Sequence, residues 1–397
     1  MKIKPNIYSC GVQDPDLRIF DIIMNTPHGT SYNAFIVKGE EKTALIEVVK
    51  ASFWDEYLEN ANAITPVDKA DYLIVNHTEP DHAGAIAELL RMNPDITIVG
   101  TNSALQFLTK IVNVPFNSKA VKAGDSIDLG GRTLTFYPMP NLHWPDTMFT
   151  FEESTKTLFS CDFFGAHFSY PPLMYSTMED RTPYQNAQRQ YFLDIMSPFI
   201  SPFVVNGTKK ARELNPSIIC TGHGPVLDVD IIETFDKYDE WSQQPKNEKP
   251  VIALAYVSAY GYTRELAETI KETLEGLGSV EVKAFEVDES NQQDAVAAIL
   301  QSDGFLLGTP TIVGDALRPI MELLLSVLPV MVKGKVASAF GSYGWSGEGV
   351  PNVLARLGQL RVKTIEGYKV RFKPNDEELE GARQFALQFA QEVVKGK

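Results

Sequence analysis

The chain has 397 residues, 44% hydrophobic and 22% charged, with 36 Lys plus Arg against 51 Asp plus Glu and a formal net charge of −15. That length suits two or three domains with a sizeable core, and that charge disfavours phosphate backbones and anionic membranes while suiting cationic ligands such as metal ions. No apolar run reaches the roughly 18–20 residues of a membrane span and Met1–Pro5 lacks a signal-peptide core, so a cytoplasmic protein with no nucleic-acid or membrane partner is expected.

The first 60 residues read as β-rich, with short β-branched or aromatic runs at Arg18–Met24, Ser31–Val37 and Thr43–Val48 between Pro, Gly and charged breakers. A helix is expected over Ser52–Ala61, a strand over Asp71–Asn76, a helix over Ala83–Arg91 and a buried strand over Ile96–Gly100. Thr101–Val112 reads as a helix capped by Thr101 or Asn102. Strand signals return at Ser126–Leu129, Arg132–Tyr137, Thr147–Phe151, Lys156–Cys161 and Ser217–Thr221, with helices at Gln185–Ile195 and Ile231–Trp241. Strands grouped together with helices outside them suggest an αββα sandwich.

Trp241–Pro250 is nearly devoid of apolar residues and holds two prolines, which makes it the linker candidate. The expected boundaries are 1–247 and 250–397. Beyond it the rhythm alternates strictly. Strands are expected at Val251–Val257, Val280–Val287, Gly304–Gly308, Val336–Phe340 and Ile365–Val370. Helices are expected at Thr263–Leu277, Gln292–Gln301, Ala316–Leu328, Gly349–Leu360 and Glu377–Val394. Five βα units of this kind describe a doubly wound, five-stranded parallel sheet.

The chemistry concentrates in His77-Thr-Glu79-Pro-Asp81-His82, which follows the apolar run Tyr72–Val75. Four metal-binding side chains in six positions repel or desolvate one another unless a cation sits among them. Three further candidates lie at turn-rich or strand-end positions: His143 in Asn141-Leu-His-Trp-Pro-Asp146, Asp162 after Cys161, and His223 in Thr221-Gly-His-Gly-Pro225. Any one alone reads as a surface imidazole or a capping carboxylate; all seven in this order read as a metal centre. Cys10, Cys161 and Cys220 are far apart and odd in number, which excludes a Cys-x-x-Cys site and a disulfide scaffold. His167 and Tyr191 are candidates to supply protons or to orient a bound intermediate.

In the second half, Ser258-Ala-Tyr260-Gly261-Tyr262-Thr263 joins a strand to a helix start. Hydroxyls at both ends and a glycine between them make a monophosphate cradle. The triphosphate and dinucleotide glycine patterns are both lacking. Thr309-Pro310-Thr311-Ile312-Val313-Gly314 and Gly341-Ser342-Tyr343-Gly344-Trp345-Ser-Gly347 follow the next two central strands. These loops gather at the carboxyl edge of the sheet and offer amides, hydroxyls and a flat aromatic to an isoalloxazine ring. A receiver domain would need acidic residues there instead.

The order His-x-[His/Glu]-x-Asp-His, then a His, an Asp and a His before Gly-Pro, resembles the metallo-β-lactamase fold. The hydrolytic zinc proteins of that fold usually carry His where this chain has Glu79, and a carboxylate hardens the site toward iron or manganese. The loops of the second half resemble flavodoxin-type FMN binding. Together, and with Gly29–Val37 and Leu142–Asp146 alike, the whole chain resembles the flavodiiron proteins. The resemblance implies one iron on His77, Glu79 and His143, a second on Asp81, His82 and His223, and Asp162 as the bridge. It implies Ser258, Gly261 and Thr263 on the FMN phosphate, and Thr309–Val313 and Ser342–Trp345 beside the ring. It further implies O2 reduction to water or NO reduction to N2O. The donor it implies is external: rubredoxin, a flavin reductase or reduced deazaflavin. A head-to-tail homodimer, or a dimer of such dimers, would place one subunit's FMN beside the other's irons. The competing reading is a zinc hydrolase fused to a flavodoxin domain, against which Glu79 argues.

Overall fold

The computed structural model describes residues 1–397 except 22–23, 244–247, 330 and 396–397. Part of the expected linker Trp241–Pro250 and part of the expected strand Arg18–Met24 therefore lie outside the described residues. The chain divides into two compact units, Met1–Gln244 and Pro245–Lys397.

Unit 1 contains a seven-stranded and a five-stranded sheet. The first runs Lys2–Lys4, Ile7–Ser9, Phe35–Lys38, Thr43–Ile46, Tyr72–Ile74, Thr97–Gly100 and Asn117–Ala120 in spatial order. The second runs Ser126–Asp128, Thr133–Pro138, Met148–Glu152, Thr157–Cys161 and Ile218–Thr221. Alternation along each strand assigns the layers. Phe35, Val37, Ala44, Ile46, Ile74 and Val99 pack with Leu134, Phe136, Met148, Phe159, Ile218 and Cys220 between the sheets. Ile36, Leu45, Leu73 and Ile98 point the other way, onto the helical residues Tyr57, Ile86, Leu89 and Leu108. Phe149, Phe151, Leu158 and Ile219 likewise meet Tyr184, Tyr191, Phe235 and Tyr238. The result is the expected αββα sandwich.

Several local readings need correction. Among the described residues the run Arg18–Met24 holds only two short strands, Ile19–Phe20 and Met24–Asn25, paired antiparallel, and Asp21 takes a left-handed φ of 48°. Ala83–Arg91 is two helices, Pro80–Ala83 and Ile86–Met92. Gln185–Ile195 starts earlier, at Thr182, and passes at Phe192 into a π-helical turn through Met196.

Unit 2 has the parallel order Glu281–Glu286, Val251–Tyr256, Gly304–Gly308, Val336–Tyr343, then the fifth strand in two pieces, Lys363–Thr364 and Tyr368–Arg371. Helices cover both faces. Ala253, Phe305, Leu307 and Ala339 bury against Ile299, Leu323 and Leu357 on one side, and Leu254, Leu306 and Phe340 against Ile270, Phe385 and Phe389 on the other. Among the described residues no helix is long and apolar enough to cross a membrane.

Candidate metal centre and flavin cradle

The strand Tyr72–Ile74 ends beneath His77, and Met148 N–H donates to Asn76 O at 2.8 Å, which ties this loop to the second sheet. Asp162 follows directly on the strand Thr157–Cys161, and His223 follows its parallel neighbour Ile218–Thr221. Parallel strands release their loops at the same edge, so residues distant in sequence converge there. Asn33 fastens the edge further: its side-chain amide donates to Thr221 O and Gly224 O at 2.9 and 2.8 Å.

The seven expected ligands fall into two groups, His77, Glu79, His143, Asp162 and Asp81, His82, His223, with ligand atoms within each group no more than 4.8 Å apart. Asp162 faces both. Its Oδ2 lies 3.2 Å from His143 Nε2 and 3.5 Å from His77 Nε2. Its Oδ1 lies 2.9 Å from His82 Nε2 and 3.5 Å from His223 Nε2. Glu79 Oε2 closes the first group at 3.1 Å from His77 Nε2 and 3.0 Å from His143 Nε2. Asp81 Oδ2 closes the second at 3.1 Å from His223 Nε2 and 3.4 Å from His82 Nε2.

These separations suit metal ions. Two ligand atoms each about 2.1 Å from one ion lie roughly 3.0 Å apart at right angles and about 3.4 Å apart at the tetrahedral angle. Asp81 is 6% exposed, and neither of its carboxylate oxygens makes a hydrogen bond despite the nearby imidazoles. A buried carboxylate without a donor is costly, and a cation at the convergence point removes that cost. Cys161 Sγ also approaches His82 and Asp162, and without metal burial holds its thiol well above the ordinary range.

The charges also fit. Burial alone would lower His77, but its contacts with Asp146 and Glu79 outweigh that and raise it to about 10. Burial is likewise outweighed at His143, where Asp162 and Glu79 raise it to about 9. Without metal both imidazoles are therefore protonated at neutral pH. A raised folded pKa gives stability that is complete below the unfolded value near 6.5 and is lost as pH climbs through about 9 to 10. The metal-free protein is expected to lose melting temperature between pH 7 and 10, and metal uptake at neutral pH to release protons. Thermal scans in chelator, and calorimetry in buffers of different ionisation enthalpy, check both signs; a flat profile with no proton release contradicts them.

His167 and Tyr191 stand beside this cluster. The His167 ring lies 4.8 Å from that of His223 and 5.0 Å from that of Tyr191, and its Nδ1 is 3.0 Å from Thr30 Oγ1. Burial and the neighbouring His223 hold His167 well below its usual value, and burial holds the Tyr191 phenol well above. Both are thus neutral groups. They line a cavity of about 250 Å³ together with His28, Asn186 and Gln190.

In unit 2 the three loops share the carboxyl edge of the parallel sheet. Ser258 Oγ accepts from the N–H groups of Gly261 and Arg264 at 3.1 and 3.2 Å, and this folds the loop. Gly261 takes φ 85°, and a side-chain carbon placed there would meet nothing within 4 Å, which leaves open space in front of the helix Tyr262–Gly276. The first N–H groups of that helix have no intrahelical acceptor, as a phosphate requires. Thr263 Oγ1 meets Ser342 Oγ at 2.9 Å and so joins the first and third loops. Thr309 is buried and its Oγ1 accepts from Leu317 N–H at 2.9 Å; Gly349 N–H donates to Thr311 Oγ1 at 3.1 Å. Thr311–Ile312 and Asp315–Ala316 pair as a small hairpin whose turn is Val313-Gly314, both at positive φ. Tyr260, Val313 and Trp345 are 81%, 97% and 88% exposed, an apolar fringe that a planar ring would cover. Pro310 and Ile312 complete the second loop, Tyr343 and Gly344 the third.

A family described as ODP family beta lactamase matches residues 30–224, and flavodoxin matches 254–385. Flavo-diiron protein FprA2 of Clostridium acetobutylicum is 40% identical over 99% of this chain and 99% of its own. The chain belongs to the flavodiiron family. The anaerobic nitric oxide reductase flavorubredoxin of Pectobacterium atrosepticum is 32% identical over 98% of this chain and 77% of its own. Among solved structures, rubredoxin oxygen:oxidoreductase of Desulfovibrio gigas has a TM-score of 0.71 at 26% identity, covering 100% of this chain and 99% of that one. As a flavodiiron protein the chain is an oxidoreductase with FMN and a non-haem diiron pair as cofactors, and a zinc hydrolase is not favoured. Three residues beside the cluster, Thr30, Asn33 and Asp146, carry no metal-type spacing; their only sequence signal is their place in the Gly29–Val37 and Leu142–Asp146 stretches.

Proposed function

We propose that this flavodiiron chain reduces O2 to water, or couples two NO to N2O, with electrons arriving through FMN. Residues 1–247 would hold the irons and residues 250–397 the flavin. When bound, FMN converts paired to single electrons, and the ferrous pair supplies electrons and open positions to a diatomic. The observation that carries this reading is Asp162, whose two oxygens face two separate ligand groups. His77, Glu79 and His143 would hold one iron and Asp81, His82 and His223 the other, with Asp162 placed to serve both. His82 Nε2 points at Asp162 and Asp81 and its ring is buried, which supports coordination. Three carboxylates offset most of the charge of two ferrous ions. His167 and Tyr191, both neutral, would donate hydrogen bonds that orient the oxygen of the reacting diatomic.

Ser258, Gly261 and Thr263 would hold the phosphate, and Tyr260, Tyr262, Thr309–Val313 and Ser342–Trp345 would serve the ring. Replacing Ser258 and Thr263 by Ala is expected to release FMN, read by loss of flavin absorbance on desalting, with iron retained. Loss of iron together with FMN contradicts that separation.

The donor is external: rubredoxin, a flavin reductase or reduced deazaflavin. The protein works in the cytoplasm as a head-to-tail homodimer or a dimer of such dimers, so that one subunit's FMN serves the other's irons. One fully reduced sample, divided between O2 and anaerobic NO, tests the function. Consumption of either gas with formation of water or N2O supports it; hydrolytic turnover without gas consumption overturns it.

A further inference from the structure

We propose that Asp146 is a positioning residue that fixes the tautomer of His77 and so aims its Nε2 at the metal. The proposal rests on the reading of His77 as an iron ligand. Asp146 and His77 are both fully buried. Asp146 Oδ2 accepts from Thr78 N–H at 2.8 Å and from Thr78 Oγ1 at 2.7 Å, and Asp146 O accepts from Thr101 Oγ1 at 3.0 Å. One residue thus locks the loop of the metal motif to the loop of His143 and to the cap of the helix Asn102–Ile111.

Its remaining oxygen, Oδ1, lies 3.5 Å from His77 Nδ1. Neither atom has a hydrogen-bond partner. A buried ring N–H and a buried carboxylate oxygen left over at that distance satisfy each other only by pairing. A histidine that binds metal through Nε2 carries its proton on Nδ1 and donates it to an outer acceptor. An amide in place of the carboxylate inverts this. Thr78 N–H and hydroxyl need an oxygen acceptor, so Asn would keep its oxygen there and turn its NH2 toward His77 Nδ1. The imidazole would then place its proton on Nε2 and lose its lone pair for the metal.

Fe²⁺ titration of the FMN-loaded protein is expected to show one of two irons weakened about 10–100-fold in Asp146→Asn. Thr78→Val removes the hydroxyl bond but not the tautomer control, and its affinity is expected within about threefold of the parent. His77→Gln is expected to lose one iron. Asp146→Asn with both irons within about threefold of the parent, while His77→Gln loses one, overturns the proposal alone. His77→Gln with both irons kept overturns the reading beneath it. Equal losses in Thr78→Val and Asp146→Asn make Asp146 a loop brace and also overturn the proposal. If Asp146→Asn fails to fold, the Zn²⁺-loaded parent with ¹⁵N-labelled histidine decides: a slowly exchanging Nδ1–H that vanishes in His77→Gln is expected, and its absence overturns the tautomer.

Discussion

Asp162→Asn is expected to strip both irons, lowering Fe²⁺ affinity by more than the roughly 10–100-fold that loss of an outer hydrogen bond costs. The carboxylate is 1% exposed and meets four imidazoles, two through each oxygen. Burial would raise its pKa, yet His82, His143 and His77 hold it well below the ordinary range, so a negative charge belongs there. Asn keeps the volume but loses the charge and replaces one ligating oxygen by a donor that points NH2 at a ligand group. Tyr191→Phe and His167→Gln are the contrast: both should keep iron while slowing turnover. Iron analysis of desalted protein, with FMN content as the folding control, reads all three. Two irons retained in Asp162→Asn would remove the bridge from the account.

Gly222→Ala is expected to remove the second iron and leave about one per chain. A side-chain carbon at Gly222 would lie 2.7 Å from His82 Cε1, 3.1 Å from the Cys161 carbonyl carbon and 3.2 Å from Asp162 Oδ1. The His82 ring is buried against the His77 and His223 rings, at 5.7 and 4.8 Å. Overpacking of this kind costs about 1–3 kcal/mol, and here the strain falls on His82 and on one oxygen of the bridge. Consumption of O2 or NO should fall at least about 100-fold if both irons are needed. Retention of two irons and full turnover would show that His82 does not sit at a metal.

The second half of the chain is the more legible. The helix Gln292–Gln301 and the strand Gly304–Gly308 have the bounds expected of them, because alternation of buried strands and amphipathic helices leaves little freedom. In the first half, the strand Asn117–Ala120 escapes a sequence reading because all four of its residues are exposed and it carries no apolar period. The helix Val205–Leu214 escapes it too. It begins with no cap from a π-helical turn, and its Asn206-Gly207 reads locally as a turn. Gly207 is there for packing: a side chain would lie 2.5 Å from Leu142 Cδ1. At the metal site the imidazoles and carboxylates are visible because their density along the chain is unfavourable without a cation. The groups that aim them are not. Asn33 acts through two carbonyls 188 and 191 residues away, and Asp146 acts through a histidine 69 positions before it, so neither contact leaves a short-range spacing to read.

Each chain is expected to carry both a diiron pair and a flavin. Metal analysis with a visible spectrum of the protein as purified tests it most directly. About two irons and one FMN per chain, with the flavin bleached by reductant and restored by O2 or NO, is the expected result. Zinc in place of iron, or flavin with no metal, would contradict it.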